Sequence, residues 1–155
     1  MKLTREIVNE ISKIKNEPDF MREFRIRSFE YFEKSEDPSW GPKIDVDFDS
    51  ITYYKKRTEE LTNDWEKISC AIRNEFKDLG VIDAENKYLD GIGAQYDSEV
   101  IYHNMIKELE NKNVIFMDTD SALKKYPELF KKYFNNLVKY DENKYTALNG
   151  AVWSG

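Results

Sequence analysis

Two aspartates, Asp118 and Asp120, follow the apolar run Val114-Ile115-Phe116-Met117 one residue apart. An apolar strand ending in Asp-x-Asp could place both carboxylates at one strand tip, where they would hold magnesium for phosphotransfer. Ala122 stands where phosphatases of that pattern carry a threonine, and no strand–helix–strand series is present to build a parallel sheet. Asp118, Thr119 and Asp120 are also residues preferred at a helix start, where carboxylates oppose the dipole, and capping is the role expected of them. His103, the one histidine, follows Glu99 by four residues. On a helix the two would share a face and offer two metal ligands, whereas a stable site needs three or four. Asp97 precedes that helix and would help to cap it.

Gly91 and Gly93 suggest a phosphate loop, but Tyr96 occupies the position of a third glycine, and helix rather than strand is expected before them. A positive-φ turn and close packing are expected of them instead. Cys70 is the only cysteine, so the chain alone can form neither a disulfide nor a multi-cysteine metal site. Lys67 and Arg73 are the cations near it, at spacings common on any charged helix, so a passive thiol is expected. No glycine-flanked serine elbow occurs.

The elements that must position these residues read as mostly helical. Thr4 can cap a helix carrying Ile7, Val8, Ile11 and Ile14 at the 3.6-residue period. Pro18 opens a second with Phe20, Met21, Phe24, Phe29 and Phe32 as an aromatic stripe. The segment SEDPSWGPK is a loop, and IDVDFDSITYY alternates as a strand or extended edge would. A third helix spans about Trp65 to Leu79, stopped by Gly80, with a short helical piece near Ala84 to Leu89. Ser98 caps a helix reaching about Lys112, with Val100, Ile101, Met105 and Leu109 on its apolar side. VIFM is a short buried strand, DTDSALKKY restarts a helix, and Pro127 opens another with Leu129, Phe130, Phe134 and Leu137. Asn143 to about Val152 is helical before the chain turns extended.

Composition bounds the function. The 155 residues can bury one core, built largely on three Trp, ten Tyr and nine Phe. A net charge of -6 leaves no basic surplus for non-specific nucleic-acid binding, and Lys55-Lys56-Arg57 and Lys131-Lys132 are short clusters flanked by acids. The N-terminus lacks the apolar core of a signal peptide, and no apolar run approaches the ~20 residues of a membrane span. A cytoplasmic protein that binds neither nucleic acid nor membrane is expected.

Six blocks in order, NEPDFMREFRIRSFEYF, WGP, DFDSITYY, GIGAQYDSEVIYHN, VIFMDTDSALKKYPELFKKYF and NKYTALNGAVWSG, closely resemble the N-terminal region of SufB, in the SufB/SufD family of iron–sulfur cluster assembly scaffolds. The resemblance covers nearly the whole chain, and its most specific block is Gly91 to His103. It departs from the family between Lys55 and Glu85, where prolines are replaced by residues such as Arg57 and Ile82, and Cys70 is not a family position. The resemblance implies a mainly α segment, a helical domain over 1–142 and a lead-in over 143–155, truncated before the family's right-handed parallel β-helix. It implies a structural and protein-interaction role, without catalysis, in a complex with the SufC ATPase and SufD, and contact with a sulfur-donor protein. The cluster ligands of the family lie beyond these residues, so neither catalytic nor cofactor nor metal positions carry over, and no cofactor is expected in this segment. Two other readings compete: a stand-alone helical interaction module, and the magnesium enzyme using Asp118 and Asp120.

Overall fold

A computed structural model describes residues 2–56 and 60–154, so Arg57 of the basic cluster lies outside the described residues. The protein is mainly α, with eight α-helices and one two-stranded antiparallel sheet among the described residues. It divides into two compact units, residues 2–54 with 122–154, and residues 55–121.

The first unit is helical. In α1 (Arg5–Ile14) Thr4 caps as expected, its hydroxyl accepting from the Ile7 N–H at 3.4 Å. Val8 and Ile11 are buried, each stabilising the unit by roughly 1.5–3 kcal/mol relative to exposure. Asn16 takes the left-handed conformation just after α1, and Pro18 caps α2 (Asp19–Lys34). The buried stripe of α2 is Met21, Phe24, Arg25, Ser28 and Phe29, so an arginine and a serine share the expected aromatic face. α7 (Pro127–Tyr133) begins at its proline. α8 (Lys144–Val152) opens with a capping box between Asn143 and Thr146 and lies against α2. Small residues make that approach possible. A Cβ on Gly150 would meet the Ser28 Oγ at 2.6 Å and its Cβ at 3.0 Å, while Ala147 and Ala151 are fully buried.

IDVDFDSITYY forms no strand. Backbone bonds Phe48 N–H to Val46 and Ser50 N–H to Asp47 make turns, and the Asp47 carboxylate accepts from the Asp49 N–H at 3.0 Å. Short acidic side chains compete for the backbone groups that a ladder would need.

The second unit corrects several expectations. The helix expected over Trp65 to Leu79 is a 3-10 turn at Trp65–Lys67 followed by α3 (Cys70–Asp78), because Asp64 caps the turn and the chain leaves helical geometry at Ile68 and Ser69. Gly80 ends it at φ 75°, as its position suggested. α4 (Val81–Tyr88) then leads into a hairpin of β1 (Gly91–Tyr96) and β2 (Glu99–Met105). The segment after Ser98 is therefore a strand, not a helix. β-branched and aromatic residues at 100–102 favour the pleat, and Asp97 at φ 55° supplies the left-handed residue of the tight turn. The register steps from Ala94↔Tyr102 to Gln95↔Val100, leaving Ile101 as a bulge. The bulge buries Ile101 and Tyr102 consecutively, and that broken alternation imitates helical spacing in the sequence. Thr62 pairs with the other edge of β2, through Thr62 N–H to Ile101 and His103 N–H to Thr62.

After α5 (Lys107–Asn111), the expected VIFM strand is irregular chain with Val114, Ile115 and Phe116 exposed, since no sheet edge is paired with it. α6 (Thr119–Lys125) carries the chain from the second unit into the first.

Candidate functional site

The polar centre of the second unit is Glu85, near the end of α4. It accepts from the Trp65 indole at 2.7 Å, the Tyr102 hydroxyl at 2.6 Å and the Asn104 amide at 2.8 Å. The Trp65 and Tyr102 rings stack at 3.9 Å, on the apolar cluster of Ile68, Ile72, Ala94 and Ile101. Burial alone would raise the Glu85 pKa, but the three donated hydrogen bonds outweigh it and hold the carboxyl below its ordinary value. Burial first, then the bond to Glu85 and its charge, push the Tyr102 hydroxyl far upward. The network ties α4 to β2 and to the turn at Trp65.

The residues nominated by sequence do not converge on one site. Asp118 caps α6, its carboxylate accepting from the Ser121 N–H at 2.8 Å. His103 lies in β2, so the shared helical face with Glu99 does not exist. Its Nε2 is buried without a hydrogen-bond partner, and its ring lies 4.8 Å from Phe116. Gly91 and Gly93 are strand residues rather than a left-handed turn, although close packing holds at Gly91, where a Cβ would come within 3.0 Å of the Phe116 ring. Ser98 sits in the hairpin turn and accepts from the Lys55 N–H at 2.9 Å, while Asp97 pairs with the Lys55 ammonium at 2.8 Å. Cys70 is exposed at the first position of α3, with the Arg73 guanidinium at 3.6 Å.

The first unit holds what the sequence reading missed. Arg25 is fully buried and clamps the Glu17 carboxylate with two hydrogen bonds, of 2.8 and 2.6 Å. It also donates to the carbonyls of Ala151 at 3.1 Å and Trp153 at 3.0 Å, and lies over the Trp153 ring at 4.9 Å. The clamp joins the α1–α2 turn, α2 and the end of α8. Its signal was positional: residue 25 falls on the stripe of 21, 24 and 28, where an arginine must find partners. Beside it opens a cleft of about 560 Å³, walled by Phe24, Phe134 and Trp153, with Trp40 and Val138 at its lip and Asn149 among its polar groups.

No family model matches the chain. An iron–sulfur cluster assembly SufBD family protein of Staphylococcus aureus strain USA300 is 52% identical to it over 154 residues, 99% of this chain. One from Staphylococcus saprophyticus is 51% identical over the same share. The chain is similar to these SufBD family proteins over nearly its whole length. It spans 33% of the length of these curated relatives. An iron–sulfur cluster takes several thiolate or imidazole ligands. In this SufBD-like chain the exposed Cys70 and the ring-covered His103 are the only thiol and imidazole. Among the described residues no group of three or more His, Cys, Asp or Glu could hold a metal. The donors present do not fit a cluster within one copy. No helix among the described residues is long and apolar enough to cross a membrane.

Proposed function

We propose that this chain is the N-terminal structural and protein-interaction segment of a SufB-like scaffold, acting in the cytoplasm within a SufB–SufC–SufD complex. It supplies no catalysis and ligates no cluster itself. The supporting observation is the 52% identity over 99% of the chain to relatives named for iron–sulfur cluster assembly. The two built features, the Arg25 clamp and the Glu85 network, are stabilising devices, which suits a segment whose work is to hold shape and meet partners. Asp118 as a helix cap gives no support to the magnesium reading.

A chimera tests the proposal. The matching third of the Staphylococcus aureus protein is replaced by this chain and expressed with SufC and SufD in cells lacking the native SufBD protein. The chimera is expected to co-purify with both subunits and to restore a cluster-dependent enzyme activity. A chimera that folds, yet neither assembles nor restores activity, refutes it. Anaerobic incubation of the isolated chain with iron and sulfide is expected to leave no protein-bound visible absorption band, and a band abolished by Cys70→Ser would overturn the non-ligating role.

A further inference from the structure

We infer that the outer edge of β1 pairs with a second copy of this chain, antiparallel, across a two-fold axis at Gly93. The ladder shows which groups face outward. The Ile106 N–H donates to the Asp90 carbonyl at 2.8 Å, so these two form a hydrogen-bonded pair. The register makes Ile92 with Asn104 and Ala94 with Tyr102 the next such pairs. The backbone N–H and carbonyl groups of Gly91, Gly93 and Gln95 therefore point away from β2. At the far edge of β2 the outward groups are taken up, His103 N–H donating to Thr62 and the Ile101 carbonyl accepting from it. Beside β1 no further strand is present among the described residues. Gly93 and Gln95 are exposed, and a glycine has only backbone to expose. Edge strands are commonly blunted by a charge, a proline or a bulge. GIGAQY carries neither charge nor proline, and the bulge of this hairpin lies in β2.

The edge is self-complementary, and that selects the occupant. With Gly93 opposite Gly93 of the copy, Gly91 meets the copy's Gln95 and Gln95 its Gly91. Every outward N–H of one strand then faces an outward carbonyl of the other. In this register Asp90 stands opposite Tyr96 and Asp97 opposite Leu89, so no carboxylate opposes another. On a chain of net charge -6, this neutral strip lets two copies meet without like-charge repulsion. Gly91 and Gly93 bring no side chains to collide, as befits a place where another backbone approaches. The copy's β1 is already extended, so it escapes the ordering cost that a flexible peptide would bear. A six-residue edge belongs with small, transient interfaces, so the dimer is weak and reversible.

The test is sedimentation equilibrium of the intact chain from about 10 µM to about 1 mM, with amide hydrogen exchange by NMR. A monomer–dimer equilibrium is expected, with exchange at Gly91, Gly93 and Gln95 slowing several-fold at the high end. A Cβ at residue 93 meets only the His103 Cδ2, at 3.8 Å, so side chains fit there without disturbing the hairpin. Gly93→Lys and Gly93→Glu should each keep the parent's melting curve and dimerise roughly three- to tenfold more weakly, since like charges then face each other. An equimolar mixture of the two should associate at least as tightly as the parent, because residue 93 of one copy faces residue 93 of the other. Gly93→Val, neutral and of similar bulk, should still dimerise. A monomer at every concentration overturns the inference, as does self-association that neither charged variant weakens. So does a mixture of folded variants that fails to associate, or edge amides protected only when a Thr-Val-Thr-Val-Thr peptide is added. The inference rests on the β1 edge and not on the scaffold reading, so it and the chimera of the preceding section fail separately.

Discussion

Replacing Arg25 with methionine keeps an unbranched apolar stem in the α2 stripe and removes only the guanidinium. What remains is a Glu17 carboxylate whose side chain is 1% exposed, and two carbonyls, of Ala151 and Trp153, without their donor. Breaking a buried ion pair by removing one partner costs about 3–5 kcal/mol, because the surviving charge stays desolvated. In a chain of this size about 1 kcal/mol moves the melting temperature by roughly 2–4 °C, so a fall of roughly 6–20 °C is expected. Urea titration followed by far-UV circular dichroism gives the free energy, and tryptophan fluorescence reports locally, since Arg25 lies over Trp153. Glu17→Gln alone is also destabilising, because it strands the cation. Combining the two should cost about 1–3 kcal/mol less than the sum of the singles, the signature of a direct partnership. The double variant stays below the parent, since both carbonyls still lack a donor. An Arg25→Met chain within 1 kcal/mol of the parent, or strictly additive singles, would refute this account of the clamp.

Gly150→Ala should destabilise by about 1–3 kcal/mol through overpacking against Ser28, and Ser28→Gly in the same chain should recover much of it; a thermal melt of the four variants checks both. The Glu85 network gives a pH dependence at both ends. A carboxyl held low in the fold contributes stability that is present above its unfolded pKa and lost as pH falls through the folded one, so Glu85→Gln should differ most from the parent at neutral pH and converge with it in acid. Tyr102, pushed up in the fold, should add a loss of stability above about pH 10, where the unfolded tyrosine ionises, and Tyr102→Phe should remove that limb in urea titrations across pH.

The helical frame of the first unit was legible because its signals are local. Thr4, Pro18, Pro127 and Asn143 stand at or beside helix starts, and the apolar stripe of α1 has a single period. The hairpin was not, because two local signals misled together. The bulge at Ile101 destroyed the alternation that identifies a strand, while Ser98 ahead of Val100, Ile101 and Met105 copied a capped helix. VIFM misled in the opposite sense, since an apolar run is a strand only if an edge is there to receive it, and edges are set by distant residues such as Thr62. The same distance hid both polar networks. Arg25 meets carbonyls more than 120 residues away, and Glu85 collects donors from positions 65, 102 and 104. The cleft, formed by α2, the chain after α7, and α8, had no sequence signature beyond its aromatic residues.

The glycine that lets α8 approach α2 also sets how the protein ages chemically. Asn149 precedes Gly150, and an asparagine before glycine deamidates readily when the glycine nitrogen can attack the asparagine side-chain carbonyl. Within α8 that nitrogen is committed to the helical ladder and its backbone is fixed, so ring closure needs the helix to open first. Mass gained at Asn149 during storage therefore counts the openings of α8, and chains in which Arg25 no longer grips the end of that helix should accumulate it faster.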